Sequence, residues 1–348
     1  MLLALSGLLM PTAQAVKVAG LYEAEVSVPE RSPQAQPAAF RQALRQVLVK
    51  LSGDQDIAAD SAARTLLDKA GRYIQQFGYR QAESAPGTQN NGVPALRLWA
   101  HFDRQALNRD IRAAGLPLWG SERPAILVWL AVEDAAGKRL VSADDEEWVA
   151  PLRQAAALRG IPLVFPLLDL QDTTQVSFAD VRQGFREVLL RASQRYDTEV
   201  VLAVDLHQAL PDVWESRWQL FSTQQERHWS VQGDQPQLLL EEGLNGTASI
   251  VAQQFATSSS FAGASGMSLQ VNGIHSADDY ARALRYLQSL DAVTRVDVRR
   301  VVPGEVSFFL VAHADPQAMQ RTIALGRVLA DVPAAGGSAG YRLLPAQP

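Results

Sequence analysis

A chain of 348 residues has room for two or three domains of ordinary size, and with 47% apolar and 20% charged residues it can build packed cores. A net charge of −5 without any basic block lacks the electrostatic footprint of a nucleic-acid binder. The absence of cysteine excludes disulfides, thiolate nucleophiles, zinc–thiolate and iron–sulfur sites, and lipid anchoring through an N-terminal cysteine.

Residues 1–15 read MLLALSGLLMPTAQA. An apolar stretch from Leu2 to Met10, a break at Pro11 and the small-x-small end Ala13-Gln14-Ala15 form the pattern of a cleaved secretory signal. Cleavage there leaves Val16 as the mature start and gives a periplasmic address. No Lys or Arg precedes Lys17, so a start upstream of Met1 is expected. The stretch is shorter than the roughly 20 apolar residues that span a bilayer, and no later window approaches that length, so no integral membrane span is expected.

Three modules follow, giving a mixed α/β and α+β chain. The first, 16–119, is read as α+β. Leu21 to Val28 is a strand, and Ala38 to Leu51 is a helix closed by Gly53, with Phe40, Leu44, Val47, Leu48 and Leu51 at helical spacing. A second helix is predicted over Ala62 to Phe77, a polar mobile loop over Ser84 to Gly92, a strand over Ala95 to Phe102, and a third helix capped by Asp103.

The middle module, 122–256, alternates strands with helices and predicts a partly parallel sheet. Ala125 to Val132 is apolar throughout, as a strand buried on both faces must be. The acidic run Asp144 to Glu147 opens a helix ending at Arg159, and is read as complementing the helix dipole and not as a metal site. Ile161 to Phe165 and Glu199 to Leu206 are further strands, separated by one helix opened by the capping box Ser177–Asp180 and continuing to Ala192. Trp214, Ser216, Trp218 and Leu220 share one face of a hairpin whose return strand carries Trp229. Gly243 and Gly246 weaken an otherwise apolar helix to Phe255. Residues 257–268 (TSSSFAGASGMS) read as a flexible linker on which the last module swings. That module, 269–345, has the order β-α-β-β-α-β of the split, ferredoxin-like unit, with its second helix carrying Met319, Ile323 and Leu329.

No Walker loop, G-x-G-x-x-G, H-E-x-x-H or G-x-S-x-G occurs, and the five histidines have no ligand spacing, so no catalytic residue, metal or cofactor is assigned. Asp169 and Asp172 follow a buried strand, where ligands bind in open α/β sheets, and two carboxylates there suit acid–base work or a cation; the plainer reading is a cap on the next turn. Arg195 and Tyr196 end the following helix, where a cation meets the dipole. Trp214, Trp218 and Trp229 suit a sugar or peptide platform, or a core stripe under a helix. Phe308 and Phe309 point to opposite faces, and Arg299 and Arg300 are too few for an RNA-reading sheet, so no nucleic-acid partner is expected.

LYEAEVSVP followed by AFRQALRQVLVKLSGD, then RPAILVWLAVED, GIPLVFPLLDLQD, RASQRYDTEVVLAVDL and VNGIHSADDYARALRYLQSLDAV, together resemble the domain of unknown function 2066 family of uncharacterised Gram-negative envelope proteins. The resemblance implies an envelope location and no assigned activity. The middle module further resembles the N-terminal α/β domains of the Tol-system propeller protein and of curli-secretion lipoproteins, and the Ala-rich first helix resembles a flagellar assembly protein, likenesses of fold alone. Three readings follow: a non-enzymatic envelope protein binding unidentified envelope proteins as a scaffold or adaptor; a binding protein for a sugar, peptide or cell-wall fragment; or a hydrolase with an unfamiliar site. The oligomeric state is left open.

Overall fold

The structure, a computed structural model, describes residues 15–81, 96–198, 200–222, 226–255, 265–314, 316–326, 328–332 and 339–345. The apolar run before Ala15 and the loop expected over Ser84 to Gly92 lie outside these residues. Among the described residues no helix is long and apolar enough to cross a membrane.

The chain opens with β1 (Ala15–Lys17), β2 (Glu23–Ser27), α1 (Gln36–Ser52), α2 (Ser61–Leu67), β3 (Ile74–Gln81), β4 (Leu96–Phe102) and α3 (Arg104–Ala113). The last three strands form an antiparallel sheet in the order β2-β4-β3. Leu98, Ala100 and Phe102 of β4 face a core filled by Leu44, Val47 and Leu48 of α1, while Arg97, Trp99 and His101 take the opposite face, as the two-residue strand period requires. Gly53 closes α1 in the left-handed region at φ 70°, and Asp103 caps α3 by accepting from the Ala106 amide, both as expected. The helix predicted over 62–77 does not form. Asp60 caps a helix of only seven residues, the chain tightens through Ala70-Gly71-Arg72-Tyr73, and Ile74 and Phe77 belong to β3. The apolar spacing that imitates a helix is two short elements set end to end.

A second pair, β1 with β5 (Glu122–Pro124), leads to the largest sheet. It contains β6 (Ile126–Asp134), β7 (Gly137–Leu140), β8 (Leu163–Val164), β9 (Val200–Leu210), β10 (Val213–Phe221) and β11 (Glu226–Gly233), ordered β11-β10-β9-β6-β7 with β8 also on β6. The β6–β9 and β6–β8 pairs are parallel and the hairpin β10–β11 extends the β9 edge antiparallel. Here α4 (Glu146–Arg159) and α8 (Pro236–Phe255) cover one face, burying Val128, Leu130, Val204 and Trp218. The other face buries Leu127, Trp129, Val201 and Ala203 beneath α5 (Leu170–Gln175), α6 (Phe178–Gln183) and α7 (Arg186–Ser193). This is the buried-on-both-faces strand that the run from Ala125 to Val132 implies. The helix expected from Ser177 to Ala192 is broken into α6 and α7 at Gly184. That residue adopts φ 64°, and a Cβ there would lie 1.6 Å from the Gln219 side chain.

The third sheet is ordered β13-β14-β12-β16-β15, from β12 (Ser265–Ile274), β13 (Val293–Val302), β14 (Gly304–Ala312), β15 (Leu329–Val332) and β16 (Ala339–Leu343). Helices α9 (Ala277–Ser289) and α10 (Pro316–Leu325) cover one face, so the ferredoxin-like β-α-β-β-α-β order is present with one extra edge strand, β15. Leu329 lies in that strand and not in the preceding helix. Of the linker expected over 257–268, residues 265–268 are the first turn of pairing in β12, from Ser265 opposite Ala312 to Ser268 opposite Phe309.

The sheets are fastened together by buried charge. Arg123 is fully buried and spends all five of its N–H groups on carbonyls: Nε on Gly120 (2.9 Å), Nη1 on Arg159 and Gly160 (3.0 and 2.8 Å), and Nη2 on Lys50 and Trp119 (2.7 and 3.0 Å). Those acceptors include the C-terminal ends of α1 and α4, the negative poles of two helix dipoles. Arg159 continues the joint, donating to the Gly53 carbonyl (2.7 Å) and to Ser249 Oγ of α8 (3.0 Å). Asp291, between α9 and β13, accepts from Arg104 Nε (2.9 Å) and from the Ser121 amide (2.7 Å). The third sheet is thus hydrogen-bonded to the first unit and to Ser121 through the Asp291 carboxylate.

Candidate functional site

Asp169, Asp172, Arg195 and Tyr196, two pairs distant in the sequence, come together beyond the end of β8. Asp169 is the N-cap of α5, accepting from the Asp172 amide (3.1 Å), and its two oxygens take a fork from Arg195 (2.7 and 2.8 Å). Asp172 is buried. It accepts from Arg195 Nη1 (3.0 Å), from the Leu168 amide (2.9 Å) and from the Tyr196 hydroxyl, which itself accepts from the Leu167 amide (2.8 Å). The group thus holds a tight corner in which Leu168 sits at φ 50°, a backbone region costly for a leucine. Every carboxylate oxygen here already accepts at least one hydrogen bond, so the arrangement organises a loop.

The Arg195 fork holds the Asp169 carboxyl down to about 2, while burial and the Asp172 hydrogen bond push Tyr196 up to about 12. A depressed carboxyl contributes stability that is complete above its unfolded value, near 4, and lost as pH falls through about 2. The urea midpoint is therefore expected to drop more steeply between pH 5 and 2 in the wild type than in Asp169→Asn. Parallel curves would show that the ion pair adds nothing.

The tryptophan set divides. Trp218 is fully buried, paired across the hairpin with Trp229 and stacked on it (6.0 Å between centroids, 13°), with its Nε1 donating to Ser216 Oγ (2.9 Å). Trp214 packs on Trp148 of α4 (6.1 Å). Both lie beneath helices, the core arrangement. Trp229 alone borders a groove of about 580 Å³ along α8, and its Nε1 has no hydrogen-bond partner among the described residues.

Two groupings escape motif reasoning. Beside the carboxyl end of β6, Asp205 and His207 of β9 meet Glu215 of β10: His207 Nδ1 lies 3.1 Å from Asp205 and Nε2 3.5 Å from Glu215, with Arg182 3.9 Å from Asp205. Neither oxygen of Asp205 has a hydrogen-bond partner among the described residues. Burial raises its carboxyl above the usual range. The D-x-H spacing carries meaning only once strand register places Glu215 opposite His207.

The second grouping is a cleft of about 750 Å³ between the open face of the first sheet and α4. Its sheet wall carries Arg80, Arg97, Trp99 and Glu25; its helix wall carries Gln154 and Leu158, the latter 48% exposed. Trp99 lies across Gly78 on the neighbouring strand, where a Cβ would come within 2.6 Å of the indole nitrogen, so glycine is needed for the ring to lie flat. On the floor, Lys50 donates to the Glu23 carbonyl (2.9 Å), and burial pulls its ammonium below the usual range.

The wall bearing Trp99 belongs to the segment for which a family is known. Residues 15–120 match a domain of unknown function (DUF8605). The match covers under a third of the chain, from β1 to the residues just before β5, and it is a different numbered family from the one the sequence resembles. No curated protein and no solved structure matches the chain.

Proposed function

We propose that this chain is an exported, non-catalytic protein of the Gram-negative envelope that works by binding other envelope components, with the cleft between the first sheet and α4 as its binding surface. The observation that carries the reading is the cleft itself: an aromatic ring seated on the sheet, a half-exposed leucine facing it from α4, and charged groups of both signs along the edge. Concave, partly apolar surfaces with a few polar groups are where ligands bind. The address rests on the apolar stretch ending in Ala13-Gln14-Ala15, on the resemblance to the 2066 family, and on β1 and the matched domain beginning beside the expected cleavage point. The three sheets are read as three units, near 16–119, 122–256 and 269–345. The buried arginines joining the first two would keep the cleft's walls at a fixed distance.

The test expresses the protein from its native upstream start and places a photo-crosslinking residue at Leu158 or at Leu210, an exposed position on β9. A periplasmic chain beginning at Val16, giving adducts with envelope components from position 158 and not from 210, is the expected result. An unprocessed cytoplasmic chain, or equal adducts from both positions, overturns the reading.

A further inference from the structure

We propose that Arg80 and Arg97 form an oxyanion clamp in this cleft and bind the phosphate or carboxylate group of its ligand. The inference rests on the reading that the cleft is the binding surface, and adds the chemistry of what it takes.

The register of the first sheet places Arg80 of β3 directly opposite Arg97 of β4. Side chains directly opposed across an antiparallel pair are close neighbours, and like charges there are unfavourable. Both arginines are exposed and both line the cleft. Among the described residues no carboxylate forms an ion pair with either, although other surface arginines of the same unit do find one, such as Arg41 with Asp68. The carboxylates on the same face are engaged or displaced: Glu23 faces His101 and contacts its ring (3.3 Å), and Glu25 stands opposite Trp99. An anion between the two guanidinium groups would relieve the repulsion.

The second observation is how Arg80 is held. Its guanidinium carbon lies 5.3 Å from the centre of the Trp99 ring, and the ring itself lies against the bare backbone of Gly78. A guanidinium drawn to an indole face by the cation–π attraction loses part of its freedom without spending its N–H donors. A planar, preoriented fork matches the two oxygens of a phosphate or carboxylate, and less ordering is lost on binding than for a free side chain. Gly78, Trp99 and Arg80 thus form a support in which each residue fixes the next, beside a second cation. A neutral ligand would not use this arrangement.

The experiment is an NMR titration of the full chain, following the Trp99 indole and the Arg80 and Arg97 side-chain N–H signals. The probes are inorganic phosphate, acetate, and vesicles of phosphatidylglycerol against phosphatidylcholine. The expected result is a saturable shift of all three signals with phosphate or acetate, weakened at least tenfold in Arg80→Gln or Arg97→Gln and unchanged in Arg31→Gln, whose guanidinium lies over Tyr79 outside the cleft. A response to phosphatidylglycerol vesicles stronger than to free phosphate assigns the oxyanion to a lipid headgroup; the reverse assigns it to a small or polymeric ligand. No saturable shift with any probe, or an affinity unchanged in the Arg80→Gln/Arg97→Gln double variant, overturns the clamp. Adducts from position 158 that persist in that double variant would leave the binding reading intact while the clamp fails.

Discussion

Replacing Arg123 with methionine is expected to lower the free energy of unfolding by about 4 kcal/mol, read as a fall in the urea midpoint. Methionine keeps much of the apolar stem but supplies none of the five donors, so the carbonyls of Lys50, Trp119, Gly120, Arg159 and Gly160 lose them together. A buried acceptor left without a donor costs on the order of 1–3 kcal/mol, and water entering the gap recovers part of that. The guanidinium also sits 4.0 Å over the Trp119 ring, a contact methionine replaces only with dispersion. Burial lowers the Arg123 group to about 9, which still leaves it charged at pH 7, so the two helix ends retain their counter-charge under ordinary conditions. Arg123→Lys tests the geometry separately from the charge. One ammonium has three donors on a single atom and cannot reach five carbonyls spread around a planar fork, so more than half of the loss should remain. A loss below about 1 kcal/mol for Arg123→Met would mean that the joint between the first two sheets is held by apolar packing alone.

Arg123 also shows where sequence reading stops. Nothing in S-E-R-P marks that arginine as buried, because its partners come from positions 50, 119, 120, 159 and 160 and become neighbours only in the fold. What was legible was local. The strand ending at Phe102, the continuous apolar run of β6, the capping box at Ser177 and the stop at Gly53 each depend on a few consecutive residues, and each stands as read. The failures share a cause. Helical spacing over 62–77 and 177–192 runs through Gly71 and Gly184, but α2 ends at Leu67 with Gly71 in the tight turn that follows, and Gly184 closes α6 itself. The site residues follow the same rule. Asp169 as a cap could be read from its neighbours, whereas its fork with Arg195 needs two distant turns to meet. Trp99 carries no signal of its own in the sequence, because an isolated tryptophan in a strand is ordinary. Only the register that sets it over Gly78, with Arg80 and Arg97 beside it, makes it a candidate.

Gly243 and Gly246 carry the other large expectation. In an isolated helix each would gain about 1 kcal/mol on replacement by alanine. In α8 they form a bare strip, one turn apart, against which the two stacked indoles lie. A Cβ at Gly243 would stand 1.9 Å from Trp218 Cε2 and 2.1 Å from Cζ2, inside the van der Waals contact of a ring that is fully buried and tied to Ser216. The ring has no free side to move to, with Trp229 stacked beside it. Overpacking of a filled core costs roughly 1–3 kcal/mol and more where nothing yields, so the clash outweighs the propensity gain and Gly243→Ala should destabilise by about 2 kcal/mol net. At Gly246 the nearest atom is the Trp229 indole nitrogen at 3.3 Å, on a half-buried ring able to give a few tenths of an ångström. There the propensity gain decides the sign, and Gly246→Ala should be neutral or slightly stabilising. The pair of variants separates the two effects within one helix, by urea unfolding under identical conditions. Adding Trp218→Phe to Gly243→Ala removes the atoms that clash, so the double variant should lose less than the sum of the two single losses. Strict additivity would mean that α8 shifts as a whole to accept the methyl group and that the glycine strip is not what seats the hairpin.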